Sequence, residues 1–284
     1  MERFEDMPWD VVITPHRKWY ELKLRELFRY KDLIFLLIKR SFSSLYKQTI
    51  LGPLWFIISP LMSSVVSTII FGNIAEIGSD GVPYFLFYLC GYTLWNYFST
   101  CVNETASTFV TNANIMGKVY FPRLTMPIAS VAFSAINMII IFMMSVITLI
   151  IYLCMGYEIC PNIMILMIPF FMVQTALLGL GVGIIVASLT TKYRDLVVLI
   201  GFGLNLWMYL TPVAYPISEV RGILKTLILI NPMSAIIQNY KYALLGIGSF
   251  EGFYWLISIC VTIAIFMVGV LIFNKVEGTF MDTV

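Results

Sequence analysis

The stretch PIASVAFSAINMIIIFMMSVITLIIYLCM, residues 127–155, contains no acidic, basic or histidine side chain. A helix rises 1.5 Å per residue, so about 20 apolar residues cross a hydrocarbon core of roughly 30 Å. This stretch exceeds that length without a single charge, and it decides the fold class: the chain crosses a membrane. The rest of the composition agrees. The chain has 284 residues, 60% hydrophobic and 12% charged, with a mean hydropathy of +0.88. An ordinary soluble domain is about a quarter charged, and this one could not cover its own surface. A soluble enzyme, a nucleic-acid binder and a disulfide module are all disfavoured. The five cysteines, Cys90, Cys101, Cys154, Cys160 and Cys260, are odd in number and lack C-x-x-C spacing, so no disulfide framework is expected. Glu2, Glu5 and Asp6 spoil a basic n-region, so no signal peptide is expected at the start.

Working outward from 127–155, five more stretches read as spans: 54–74, 84–104, 163–189, 196–210 and 253–273. The fifth in chain order, 196–210, is short, and Pro212 and Pro216 interrupt the residues after it. The expectation is an all-α polytopic membrane protein with six transmembrane helices. Ten Lys or Arg precede the first span. Placing them in the cytoplasm puts fifteen basic residues inside and three (Arg221, Lys225 and Lys241) outside, with both termini cytoplasmic. Residues 15–48 interleave Leu22, Leu27, Ile34, Leu37 and Ile38 with cations and read as an N-terminal amphipathic helix on the inner leaflet, against membrane lipids. Two domains are expected: a cytoplasmic segment 1–50 and a membrane domain 51–284.

Between spans five and six, 212–252 is too apolar for a solvated loop and too interrupted to cross. Asn231-Pro232 is a helix start, with Asn as cap and Pro in the first turn. Two short external helices, re-entrant or gating, are expected, with Pro212, Tyr215, Asn231 and Pro232 as gate residues. A plain amphipathic hairpin on the outer surface is the alternative.

The spans carry almost no ionisable group. Glu104 falls near the cytoplasmic interface, and the one histidine, His16, is in the N-terminal segment. Ion-coupled transport needs acids, bases or His within the bilayer, so it is disfavoured. No paired carboxylates, H-E-x-x-H, G-x-S-x-G or metal-ligand spacing is present, and Gly117-Lys118-Val119 does not complete a P-loop. Catalysis and a cofactor or metal bound by this chain are not expected; energy for uphill movement must come from a partner. Gly179 and Gly183 form a G-x-x-x-G in the fourth span, a spacing that lets helices approach closely within the chain or between copies. Trp55, Phe56, Tyr92, Trp95, Phe202 and Trp207 are candidates to line a path, since aromatic rings offer an apolar face to sugar C–H groups and a polar edge to hydroxyls.

Four ordered stretches carry a resemblance. They are Tyr46-Lys47-Gln48-Thr49-Ile50-Leu51-Gly52-Pro53-Leu54-Trp55 with Pro60 beyond it, and Lys118-Val119-Tyr120-Phe121-Pro122-Arg123. Next come Tyr193-Arg194-Asp195-Leu196 with Tyr209-Leu210-Thr211-Pro212-Val213, and last Asn231-Pro232-Met233. Together they resemble the permease subunit of ABC-2-type polysaccharide exporters, the O-antigen, capsule and teichoic acid group. Val12-Ile13-Thr14-Pro15 with 27–33 is similar to the lipopolysaccharide O-antigen branch. The resemblance implies a homodimer bound to two copies of a P-loop ATPase subunit, which hold ATP and Mg. It implies a polysaccharide on a polyprenyl lipid as substrate, no nucleic acid, and the bacterial cytoplasmic (inner) membrane as location. ATPase closure would pass through 112–123 and the N-terminal helix around 22–40, with Asn112, Asn114, Lys118, Tyr120, Phe121 and Arg123 as coupling residues. The basic N-terminal helix could draw the substrate's diphosphate from the inner leaflet. An ABC-2 exporter of small lipids or drugs, and an integral-membrane glycosyl- or acyltransferase, are the competing readings.

Overall fold

The computed structural model describes residues 29–46, 51–112, 121–190 and 195–277. Among them there are helices and no strands. In chain order α1 is Lys31–Tyr46, α2 Trp55–Ser67, α3 Tyr84–Thr111 and α4 Thr125–Cys154. Beyond these come α5 Ile168–Thr190, α6 Leu196–Tyr209, α7 Ile223–Ile230, α8 Pro232–Leu245 and α9 Gly252–Glu277. A π-helical run, Thr68–Ile74, extends α2, and a 3-10 turn, Ile163–Met167, leads into α5. The N-terminal part of the expected amphipathic helix lies outside the described residues; α1 is its C-terminal part.

Four segments are long and apolar enough to cross a membrane: Gly52–Ile74, Thr125–Cys154, Ile163–Thr190 and Gly252–Lys275. This is a multi-pass helical membrane protein. The other two expected spans meet one criterion each. α3 has the length, 28 residues, but carries Thr93, Asn96, Thr100, Asn103 and Glu104. α6 is apolar but has 14 residues, a rise of about 21 Å, short of the hydrocarbon core.

The polarity of α3 has its cause in the helix's place in the fold. It is the central helix, packed on α4, α5 and α8, and it buries Leu86, Phe87, Leu94, Phe98 and Val102 completely or nearly so. Protein rather than lipid surrounds most of it. α5 lies tight against it because the small residues allow that. A Cβ at Gly179 would come 2.7 Å from Cys101 Cβ, and one at Gly183 would come 2.5 Å from Thr105 Cβ. The G-x-x-x-G spacing is thus a contact within the chain. The intervening Gly181 serves α9 in the same way, its Cβ position 2.9 Å from the Phe266 Cα. At the other extreme, α2 buries only Pro60, Ser64 and Ser67, and α6 only Leu204. Many of their large apolar side chains, among them Trp55, Met62, Val198 and Phe202, point away from the protomer. All five cysteines are free.

Candidate functional site

One face of α3 stays partly open. Tyr92, Asn96, Ser99, Thr100 and Asn103 are half-buried in an otherwise buried stretch. The spacing between 92, 96, 99 and 103 is that of a single helical face, running over about 16 Å. Tyr92 stacks on Tyr88 with ring centroids 5.7 Å apart, and Asn96 Nδ2 donates to the Tyr92 hydroxyl at 3.2 Å. Asn137 of α4 donates in turn to Asn96 Oδ1 at 3.2 Å. Asn103 faces α6, where a Cβ on Gly201 would lie 4.0 Å from its Oδ1. An amide and hydroxyl seam in so apolar a chain costs desolvation, and it persists here with partial access. Sequence reading missed Asn96, Asn103 and Asn137. The i, i+4, i+7, i+11 pattern that Asn96 and Asn103 form with Tyr92 was the available signal.

Where α3 begins, the seam ends under α8 and the bend after α6. Lys241 of α8 is 1% exposed, and its ammonium donates to the carbonyls of Pro212 at 2.8 Å and Val213 at 3.0 Å. The same Nζ lies 3.4 Å from the ring centroid of Phe87. Burial works against the charged form; the two carbonyls and the ring face favour it. Lys241, one of the three basic residues counted outside from the sequence, is thus buried within the fold. Its aliphatic stem lets it reach inward, and charge counting along a sequence cannot see that. The bend has further ties. Asn231 caps α8 by accepting from Met233 N at 3.2 Å, and its Nδ2 donates to Thr211 Oγ1 at 3.1 Å. Tyr84 donates its hydroxyl to the Ala214 carbonyl, and Tyr215 donates to the Tyr209 carbonyl at 3.2 Å. Burial pushes the Tyr215 hydroxyl up to about 12.

Where α3 ends there is a cavity of about 570 Å³ between α1, α3 and α4. α1 contributes Leu37, Arg40, Ser41 and Ser44; α3 contributes Glu104, Ser107, Thr108 and Thr111, with Asn112 just after it. Met126, Ala129, Ser130 and Phe133 of α4 form the remaining wall. Asn112 closes α3 by donating its Nδ2 to the Thr108 carbonyl at 2.9 Å.

The structure scatters the predicted path residues. Trp95 and Trp207 meet in one cluster with Phe98, the Trp207 ring 6.4 Å from Trp95 and 5.3 Å from Phe98. Trp95 is buried, so it packs α3 against α6 instead of facing the seam. Tyr92 lies on the seam itself. Trp55 and Phe202, 51% and 63% exposed, point off the protomer, and Phe56 is half-buried. Of the predicted gate residues, Pro212 and Asn231 share one hydrogen-bonded corner, Pro212 through Lys241 and Asn231 through Thr211. Pro232 accepts at its carbonyl from Ser258 at 2.9 Å. Of the predicted coupling residues, Phe121 is buried and Arg123 half-buried before α4. Asn114, Lys118 and Tyr120 lie outside the described residues. No cluster of metal-ligating side chains is found among the described residues.

A helical, multi-pass bundle with a polar seam along its central helix defines the class as an integral membrane protein. The profile of the ABC-2 type transporter family matches residues 32–245, well over half of the 284, and the chain belongs to that family. It is similar to an O-antigen export system permease protein RfbA of Myxococcus xanthus, 27% identical over 220 residues, covering 77% of this chain and 82% of the relative. It is also similar to an O-antigen export system permease protein RfbA of Klebsiella pneumoniae, 25% identical over 252 residues, covering 88% and 94% respectively.

Proposed function

We propose that this chain is the permease subunit of an ATP-driven exporter that moves a lipid-linked, O-antigen-like polysaccharide across the bacterial cytoplasmic membrane. The observation that supports it best is the α3 seam. A glycan offers hydroxyls and flat C–H faces, and Tyr92, Asn96, Ser99 and Asn103 offer a ring, amides and a hydroxyl in a row. The names carried by the relatives point to the same cargo.

In this reading α2 to α6 and α9 are the six spans, both termini are cytoplasmic, and α7 and α8 form an external gate. Residues 1–50 form the cytoplasmic segment and 51–284 the membrane domain. A second copy covers the exposed faces of α2 and α6, so Trp55 and Phe202 reach the path from the dimer contact. Two P-loop ATPase subunits hold ATP and Mg, and their closure passes through 112–123, with Asn112, Phe121 and Arg123 at its described ends.

The test is transport by the chain reconstituted with its ATPase partner in inverted vesicles. ATP should drive a lipid-linked polysaccharide into the lumen, where it becomes protected from added glycosidase. Movement of short lipids with exclusion of the polymer would overturn the reading and favour a small-lipid exporter.

A further inference from the structure

The cavity at the end of α3 combines two opposite charges that do not neutralise each other. Arg40 of α1 and Glu104 of α3 both line it, and among the described residues they form no ion pair with one another. The remaining wall has a definite polarity. Ser107 Oγ donates to the Asn103 carbonyl at 3.0 Å, Thr108 Oγ1 to the Glu104 carbonyl at 2.5 Å, and Thr111 Oγ1 to the Ser107 carbonyl at 2.9 Å. With those protons turned into the helix, the Ser107 and Thr111 oxygens keep acceptor capacity at the cavity wall, while Thr108 Oγ1 is shared with Ser130 Oγ at 3.5 Å. The α3 wall, with the Glu104 carboxylate, therefore receives a cation or a donor-rich group. The α1 wall, with the five guanidinium donors of Arg40 and the hydroxyls of Ser41 and Ser44, receives an anion.

A ligand that satisfies both walls carries an anionic and a cationic group within the width of the cavity. We propose that the cavity binds the aminoethyl phosphate headgroup of phosphatidylethanolamine, its phosphate at Arg40 and its ammonium at Glu104. The cavity volume of about 570 Å³ falls within the usual range of small-molecule sites and leaves room for the glycerol. Leu36, 61% exposed and one turn before Arg40 on the same helix, gives an acyl chain an apolar surface beside the headgroup. A diphosphate fits worse than the zwitterion, because it brings two or more negative charges against Glu104 and the acceptor wall. The site is separate from the α3 seam and does not depend on the polysaccharide reading.

Native mass spectrometry of the full-length chain in detergent, with phosphatidylethanolamine and phosphatidylglycerol added at equal mole fraction, reads the site directly. The wild type should retain phosphatidylethanolamine about five-fold over phosphatidylglycerol, the scale of one partly exposed charge contact. Glu104→Gln should bring that ratio close to one, while Arg40→Gln should lower retention of both lipids. Lys39→Gln, one position from Arg40 and outside the cavity, should change neither. A ratio measured on the folded chain does not respond to stability alone. Equal retention by the wild type, an unchanged ratio in Glu104→Gln, or a Lys39→Gln effect as large as that of Arg40→Gln would overturn the proposal. So would displacement of phosphatidylethanolamine by geranylgeranyl diphosphate at equal concentration. Displacement by free O-phosphoethanolamine as effectively as by the lipid would overturn the lipid as the source.

Discussion

The Lys241 ammonium lies 3.4 Å from the centre of the Phe87 ring while donating to the carbonyls of Pro212 and Val213. One side chain thus joins α8, α3 and the bend after α6. Both carbonyls belong to residues buried within the corner, where water cannot replace the lost donor.

Lys241→Met keeps the stem and removes the donor. Two buried carbonyls are then left unpaired, and the folded chain in detergent should lose about 2 kcal/mol or more. Gly91→Ala should act through the same contact, because a Cβ there would come 2.8 Å from Lys241 Cε and 3.1 Å from the Val213 carbonyl oxygen. Thermal unfolding of both variants checks this. The double variant should cost less than the sum, since both remove one interaction. Full additivity would show that the two positions act independently.

The packing of α5 on α3 predicts a graded glycine series. Gly183→Ala places a methyl 2.5 Å from Thr105 Cβ, and Gly179→Ala one 2.7 Å from Cys101 Cβ. Each should destabilise by about 1–3 kcal/mol, the usual cost of overpacking. Gly203→Ala on the exposed face of α6 meets nothing within 4 Å and should be neutral or slightly stabilising. Thermal melts of the three variants at one detergent concentration decide it; equal losses at all three would contradict the close α3–α5 contact.

The seam predicts a defect in transport without a defect in folding. Asn96→Leu is apolar and of similar size, so it should remain folded while polysaccharide movement falls about tenfold, corresponding to about 1.4 kcal/mol. Asn96→Gln should retain more than half of the transport. Vesicle uptake at matched protein levels measures both. Equal transport in Asn96→Leu and the wild type would remove the seam from the path.

Arg123 tests the coupling. Charge reversal, Arg123→Glu, should leave the permease inserted and ATP hydrolysis by the complex within about twofold, while transport per ATP falls about tenfold or more. The measurement is the ratio of polymer moved to phosphate released. An unchanged ratio would take Arg123 out of the coupling path.

Hydropathy and charge placement along the chain were enough to establish a helical membrane protein, the bounds of most helices, and the Asn231 cap with Pro232 in the first turn. These depend on local rules: about 20 apolar residues per crossing, and a side-chain oxygen for the first free N–H groups of a helix. The reading of α3 shows where local rules stop. Its Asn and Thr residues lower its hydropathy, and only its position among α4, α5 and α8 explains why they are tolerated. Rotation of a helix about its axis is set by its neighbours. Trp95 therefore turned into the core and Trp55 and Phe202 away from it, although all three have the same standing as aromatic residues in a span. Lys241 shows the same limit for charge. In sequence it is one more basic residue after the fifth span; in the fold its long stem carries the ammonium onto Phe87 and two carbonyls brought there by a separate bend. Which segments are helices was decided by contacts within a few residues along the chain. Which faces of those helices meet, and hence where the seam, the corner and the Arg40–Glu104 cavity lie, was decided only by packing between segments far apart in sequence.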